Sequence, residues 1–559
     1  MPNHPPFWKT FSAITIIAAF WAFDYKAAKT LSLYKPMELP YILSGTFGEL
    51  RGSHFHMGID IKTLGREGFP VQSIEAGYVS RIKISPYGYG KAVYIDHPNK
   101  LTSVYAHLSD LSPRIKKAAY ELMRENKNNE LDHYFEAGAL PLKAKELIGY
   151  SGNSGGSMGP HLHFELRESA LQIPVNPLHF NYSIEDKEAP QINALYLYNL
   201  ENTSGIEFPK RIPNCDGDTL QINSSILGVA VSAFDRQDGN YNKNGVYSVK
   251  LSLNDRVIFE MTMDKISYSE SRYIQAHSDP LIKEKHRESV HRCFILPGDA
   301  LSIYNVAENY GKITLENQQL YKFNLELKDY NKNTTTREWW VQKNDTLAFF
   351  SEIEDSAKGK MPVTHAQKFD YESKQWTINI PAKAFYYDTY IFIEESDSTE
   401  EGHLCNKLKI ASPHRETHRL FSISLTPDQK IDQPDKAVIV REENGNRSYL
   451  TTHYKDKTWS TRSRSFGTYY LVSDTTIPEF IKMEKVAKEK KVIFYAKDSQ
   501  SGITDYHAYI NGEWSICYYD AKNNAFEIEC RSCFEQSGTE LVLNLSDEKR
   551  NILSIKEKF

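Results

Sequence analysis

The chain has 559 residues, more than one core of roughly 250–300 residues can organise, so several domains are expected. Hydrophobic residues make up 40% and charged residues 25%, which excludes an intrinsically disordered chain. With 67 basic against 72 acidic residues, the net charge of −5 argues against a nucleic-acid binder held by a global positive field.

The first element is the uncharged apolar run from Phe11 to Phe23, preceded by Lys9 and followed by Asp24. It is shorter than the about 20 residues of a spanning helix and fits the roughly 7–15 of a secretory core. Residues 1–28 are therefore read as a signal sequence. The mature chain is expected in the periplasm or cell envelope, with an uncleaved membrane anchor as the alternative.

From residue 29 to 185 short apolar alternations are punctuated by Gly65, Gly68, Gly77, Gly88 and Gly90. Strand-sized runs with such turn signals predict a compact antiparallel β domain. One stretch breaks the rhythm. Ile115, Ala118, Ala119, Leu122 and Met123 recur at helical spacing behind Pro113, so a helical insertion is predicted at about 113–128. Beyond Pro190 the pattern is strand after strand, giving a mainly β protein. Residues 186–330 and 471–559 read as immunoglobulin-like β-sandwich modules, and 331–470 as a β module whose limits the sequence does not mark sharply. An echo supports the repeat. Ala233-Phe-Asp-Arg-Gln-Asp-Gly239 follows Glu188-Ala-Pro190 as Ala496-Lys-Asp-Ser-Gln-Ser-Gly502 follows Thr476-Ile-Pro478. The turn aspartates Asp235, Asp238, Asp498 and Asp505 are read as turn caps rather than calcium ligands.

Six cysteines all lie beyond residue 214. Cys530-Arg-Ser-Cys533 has neither the second pair of a zinc knuckle nor the βαβ setting of a redox motif. A two-residue turn at Asn523-Asn524 would set Lys522 opposite Ala525 and Cys517 opposite Cys530. Opposed strand positions are slightly far apart for a relaxed disulfide, so reduced thiols are preferred over a Cys517–Cys530 bridge.

The chemistry concentrates in three segments of the first domain: His54-Phe-His56-Met-Gly-Ile-Asp60, Tyr105-Ala-His107-Leu, and the Gly/Ser-rich stretch from Ser151 to Pro160 leading into His161-Leu-His163-Phe-Glu165. As a strand, the last puts His161, His163 and Glu165 on one face and Leu162, Phe164 and Leu166 on the other. The glycines ahead of it let backbone approach a ligand closely. Extended chain also puts His56 and Asp60 on one face across Gly58, with Met57, Ile59 and Ile61 opposite. Zinc takes imidazole nitrogen and carboxylate oxygen, with three protein ligands in a catalytic site. His56, Asp60 and one histidine of the 161/163 pair supply that set, leaving the other and His107 as acid/base groups. His54 lacks this context and is set aside. His286 and His291 have the wrong spacing for a zincin helix.

His56-Met-Gly-Ile-Asp60, then Tyr-Ala-His107-Leu, then Gly-Pro-His161-Leu-His163-Phe-Glu resembles the lysostaphin/LytM-type zinc metallopeptidases over about residues 40–180. The resemblance implies a compact antiparallel β fold with an open groove and hydrolysis of peptide cross-links in peptidoglycan. It implies Zn2+ held by His56, Asp60 and His163, with His107 and His161 as the catalytic histidines. The implied partners are peptidoglycan peptide stems; the β modules are left for substrate positioning or an envelope protein partner, and the charge balance leaves no nucleic acid expected. The competing reading is a non-hydrolytic envelope scaffold or amidase activator, disfavoured because all five matched positions are intact. The helical insertion departs from the minimal pattern and leaves substrate preference open, as something that lines the groove or caps an edge.

Overall fold

The computed structural model describes residues 33–559 except 181, 183, 202–207, 213–214, 351–358, 397–401 and 415; the expected signal sequence lies outside them. Among the described residues no helix is long and apolar enough to cross a membrane.

The first domain holds strands β1 (Leu43–Gly45), β2 (Ile59–Lys62), β3 (Pro70–Gln72), β4 (Gly77–Ile84), β5 (Lys91–Asp96), β6 (Leu101–Ala106) and β7 (Asp110–Leu111). Helix α1 (Pro113–Asn126) follows, then β8 (Leu131–Tyr134), β9 (Pro141–Leu142), β10 (Leu147–Tyr150), β11 (His161–Glu168) and β12 (Ile173–Val175). The main sheet runs β1-β2-β11-β6-β5-β4-β8, and β3-β10-β7 form a small second sheet; the pairings are antiparallel, as expected. Alternation along β11 sends Leu162, Phe164 and Leu166 into a core shared with Ile59 and Ile61. Register does the rest. β11 lies between β2 and β6, so His163 pairs with Asp60 on one side and Ala106 on the other, one residue before His107.

Helix α1 forms where the sequence predicts it, with Pro113 at its start and Lys127 in left-handed conformation closing its end. It buries Ile115, Ala119 and Met123 against the β core.

The remainder folds as three two-sheet sandwiches, each with its own core. The first does not stop at residue 330: strand Thr334–Lys343 pairs along its length with Leu320–Lys328, and Phe350 still packs in that core. The expected boundary therefore moves to about 350, because a single hairpin spans it. Phe47, Phe55 and Met57 of the first domain also sink into this second core rather than into their own. Met57 is buried as expected, but against a neighbouring sandwich. The second sandwich spans Lys360–Ser473 and the third Glu479–Lys558 in their outer strands.

The last sandwich corrects the cysteine register. Asp520, not Lys522, pairs with Ala525, so the connection is a four-residue loop and Cys517 faces Ile528. Asn524 alone takes positive φ (52°), whereas the predicted tight turn needs positive φ at both central residues. Cys517 is free, and Cys530 is bonded instead to Cys533 with Cα atoms 5.4 Å apart.

This last sandwich folds back onto the first domain, and α1 with its exit loop is the landing site. Lys116 pairs with Glu529 at 2.8 Å. The buried Asn129 donates to the Tyr506 carbonyl (2.6 Å) and accepts from the Cys517 amide (2.8 Å). The insertion therefore caps a domain seam and does not line the groove. Removing one side chain that satisfies two buried backbone groups costs about 2–4 kcal/mol. Asn129→Ala is accordingly expected to bring forward the first transition in thermal unfolding; an unchanged melting curve would show that the seam does not rest on it.

Candidate metal centre

Asp60 is only 6% exposed, and its carboxylate is the point on which the site converges. Its Oδ1 lies 3.0 Å from His56 Nε2, 2.9 Å from His163 Nδ1 and 3.4 Å from His161 Nε2. Its Oδ2 accepts from Arg51 Nη2 at 3.0 Å. His56 Nε2 and His163 Nδ1 stand 3.0 Å apart. The structure thus brings His56, Asp60 and His163 together as one ligand cluster.

The opposite ring nitrogens are anchored. His56 Nδ1 donates to the Thr46 carbonyl (2.8 Å), His161 Nδ1 to that of Gly159 (2.8 Å) and His107 Nδ1 to that of Ser154 (2.9 Å). His163 turns the other way, with Nε2 on Glu165 Oε1 at 2.9 Å and Nδ1 inward. Such bonds fix tautomer and ring orientation, as metal-binding histidines require. The donor set fits zinc: bonds of about 2.0–2.1 Å at tetrahedral angles put ligand atoms roughly 3.3 Å apart. The observed 2.9–3.0 Å separations need to open by only a few tenths of an ångström.

Charge points the same way. Burial alone would raise the Asp60 carboxyl, but the imidazoles of His56, His161 and His163 outweigh it and hold it well below the usual range. Burial would depress His163, yet hydrogen bonds to Asp60 and Glu165 hold it up at about 9. A proton between two carboxylates thus occupies the place a cation on Nδ1 would take. Burial, then the neighbouring His163 and His161, push His107 down to about 3, so it is neutral near pH 7.

Gly58 meets a close-approach requirement: a Cβ there would stand 2.4 Å from the Phe164 carbonyl oxygen. Gly90 and Gly155, both with positive φ (62° and 69°), pack backbone against backbone. The glycines before β11 thus serve first to seat their loop on the 88–90 turn, not only to approach a ligand, as the sequence reading had it. The cluster opens on a groove of about 910 Å³ lined by His107, His161, Arg51, Lys62 and Met158 among others. His54 also lines it but is exposed and outside the ligand cluster.

Several supporting residues escaped the sequence reading. Glu165 is fully buried and accepts from Arg167 Nε (2.7 Å), from Tyr268 of the adjoining sandwich (2.8 Å) and from Tyr89. Only the strand phase of Glu165 was visible. Tyr268 stands 103 positions away with no local pattern to flag it. Lys522 of the last sandwich donates to the Ser157 carbonyl (3.3 Å) and to that of Asn153, holding the loop that leads into His161. The β modules therefore buttress the site from two sides.

Residues 54–120 match the family described as Peptidase family M23. The "DD-carboxypeptidase/endopeptidase Mpg" of Neisseria meningitidis serogroup B, and that of Neisseria gonorrhoeae, are 33% identical over 123 residues. The N-terminal domain belongs to peptidase family M23. The matched stretch spans 22% of this chain and 22% of those relatives' length. Among solved structures, the catalytic domain of the prophage-encoded M23 protein EnpA from Enterococcus faecalis is 26% identical, covering 26% of this chain and 94% of that one, with a TM-score of 0.19. The catalytic domain of lysostaphin from Staphylococcus simulans is 23% identical, covering 25% and 90%, with a TM-score of 0.19. Residues 360–474 match a Zu5-like domain and coincide with the middle sandwich.

The charge pattern of the M23 domain generates a test. Because metal on His163 must displace a proton whose pKa is raised to about 9, zinc affinity is expected to climb about tenfold per pH unit between pH 6 and 8. Glu165→Gln removes one of the two carboxylates that raise it, flattening that slope and weakening binding about 10–100-fold. Zinc titrations at several pH values measure both. A pH-independent affinity would contradict the proton assignment.

Proposed function

We propose that this protein is an exported zinc metalloendopeptidase that cleaves peptide cross-links of peptidoglycan during cell-wall remodelling. The observation that carries the reading is the His56–Asp60–His163 cluster, with His161 3.4 Å from Asp60 and His107 beside it on the wall of one open groove. The neisserial relatives named as DD-carboxypeptidase/endopeptidase support the same reaction class. The apolar run Phe11–Phe23 supports export to the periplasm or envelope.

His56, Asp60 and His163 would hold the ion. Bound zinc supplies Lewis acidity, which makes water nucleophilic near neutral pH and polarises a carbonyl. His107 is neutral and, with Nδ1 donating to Ser154, keeps Nε2 available to accept a proton. His161 is held in the same tautomer by Gly159, so its Nε2 also serves the groove. The pair is suited to take the proton from the attacking water and return it to the leaving amine. Lys62 on the groove wall suits carboxylate-bearing stem peptides.

Ligand and catalyst separate by mutation. Asp60→Ala is expected to strip zinc and abolish release of muropeptides from purified sacculi. His107→Ala and His161→Ala are expected to retain zinc and lose about 10²–10⁴-fold in rate. Full zinc and full activity in Asp60→Ala would overturn the ligand assignment. Sacculi left intact by the zinc-loaded wild type would overturn the enzyme reading in favour of a scaffold.

A further inference from the structure

The sequence echo between the first and last sandwiches has a structural counterpart that nothing in peptide hydrolysis uses. Asp186, Asp235 and Asp329 bring one carboxylate oxygen each within 4.8 Å of one another, and Asp474, Asp498 and Asp547 do the same. The two trios occupy equivalent positions. Asp186 and Asp474 each precede a proline by four residues, at Pro190 and Pro478. Asp235 and Asp498 each sit in Ala-x-Asp-x-Gln-x-Gly, at the end of a strand. Asp329 and Asp547 each start an identical turn. The carboxylate accepts from the backbone and side-chain amides of the residue four later, Asn333 or Asn551, while the residue between, Lys332 or Arg550, has positive φ. Each of those asparagines also donates to the first aspartate's carbonyl, at 3.1 Å in both sandwiches.

A carboxylate cluster alone is no ligand site, but here a further group points to one. Asn244 is 4% exposed, lines the same small cavity as the first trio, and its Oδ1 has no hydrogen-bond partner. Asp235, 6% exposed, likewise has an Oδ1 without a partner. Among the described residues none of Asp186, Asp235 and Asp329 takes part in an ion pair. Two buried carboxylates, the half-buried Asp186 and a buried amide oxygen, without a counter-charge, repel one another, and a buried acceptor without a donor is costly. A hard cation meets all four needs at once.

We propose that Asp186, Asp235 and Asp329, with the amide oxygen of Asn244, form a calcium site at the seam between the M23 domain and the first sandwich. The ligand set is all oxygen, which suits calcium or magnesium over zinc. Calcium fits better, because magnesium keeps several waters and the cavity, about 40 Å³, has little room for them.

The site is placed to brace the zinc centre. Gln237, two residues past Asp235, accepts from the Leu43 amide and donates to the Tyr41 carbonyl. Gly245, next to Asn244, donates to Thr46 Oγ1, and the Thr46 carbonyl anchors His56. A cation that orders the 235–245 loop therefore steadies the support of a zinc ligand.

The test uses the full-length, zinc-loaded protein freed of calcium and titrated with Ca2+ alone. Calcium binding is expected with a dissociation constant of about 10⁻⁴–10⁻³ M, as in extracellular modules, and a melting temperature that rises with calcium. Asp235→Asn replaces a carboxylate whose Oδ1 has no partner, so it is expected to remove that calcium while leaving zinc content unchanged. In calcium-free buffer this variant should melt no lower than the wild type, because it relieves repulsion. Should it fail to fold, Asp186→Asn serves in its place. Absence of binding up to about 10 mM calcium, or calcium binding undiminished in the variant, overturns the proposal. Binding of magnesium but not calcium overturns the choice of ion.

Discussion

Everything at the active end of this molecule follows from burying one carboxylate. Asp60 sits 6% exposed on β2, one strand in from the edge of the main sheet, where a lone anion would be prohibitively unstable. It is tolerated because Arg51 neutralises one oxygen and three imidazoles crowd the other. Those imidazoles can converge only because their far nitrogens are tied to fixed acceptors: Thr46, Gly159 and Glu165. Glu165, itself a buried anion, passes the demand outward to Arg167, Tyr89 and Tyr268. The site is a stack of charge compensations in which each layer is stable because the next is present.

That outward demand explains why the first sandwich is not a loosely tethered appendage. Tyr268 satisfies a group in the M23 domain, while Phe47, Phe55 and Met57 from the segment beside His56 fill the sandwich's core. Polar and apolar exchange run in opposite directions across the same seam, which fixes its geometry more tightly than either alone. The last sandwich closes the other side through Asn129, Lys116 and Lys522. α1 and its exit loop supply part of that second seam through Lys116 and Asn129, which gives the insertion a structural purpose that substrate contact would not.

How much of this could be read from the chain alone follows from the range of each signal. Strand phase is local, so His161, His163 and Glu165 on one face, with Leu162 and Phe164 beneath, were legible. Helical spacing behind a proline is equally local, and α1 lies where it was expected. Hairpin register is less secure: Asn523-Asn524 carries a tight-turn signal, but a four-residue loop is built there and shifts Cys517 away from Cys530. The boundary at 330 failed because polar turn residues between Leu320–Lys328 and Thr334–Lys343 look the same inside a hairpin as between domains. Tyr268, Lys522 and the Thr46 carbonyl depend on tertiary approach, and no spacing encodes them.

The repeat offers an intermediate case. Each aspartate of a trio, taken singly, is an ordinary turn residue, and turn capping is the right reading for each in isolation. What differs is that the three turns lie at the same pole of a sandwich, so a rule that is neutral for one carboxylate becomes unfavourable for three. Two sandwiches of one chain retain the same spacing of proline, glycine and asparagine around that trio. A sandwich needs only one such turn to reverse its chain. Three converging carboxylates, with Asn244 Oδ1 left unpartnered beside the first trio, are a burden on the fold unless a cation relieves it, so the first trio is better accounted for by a ligand than by chain reversal.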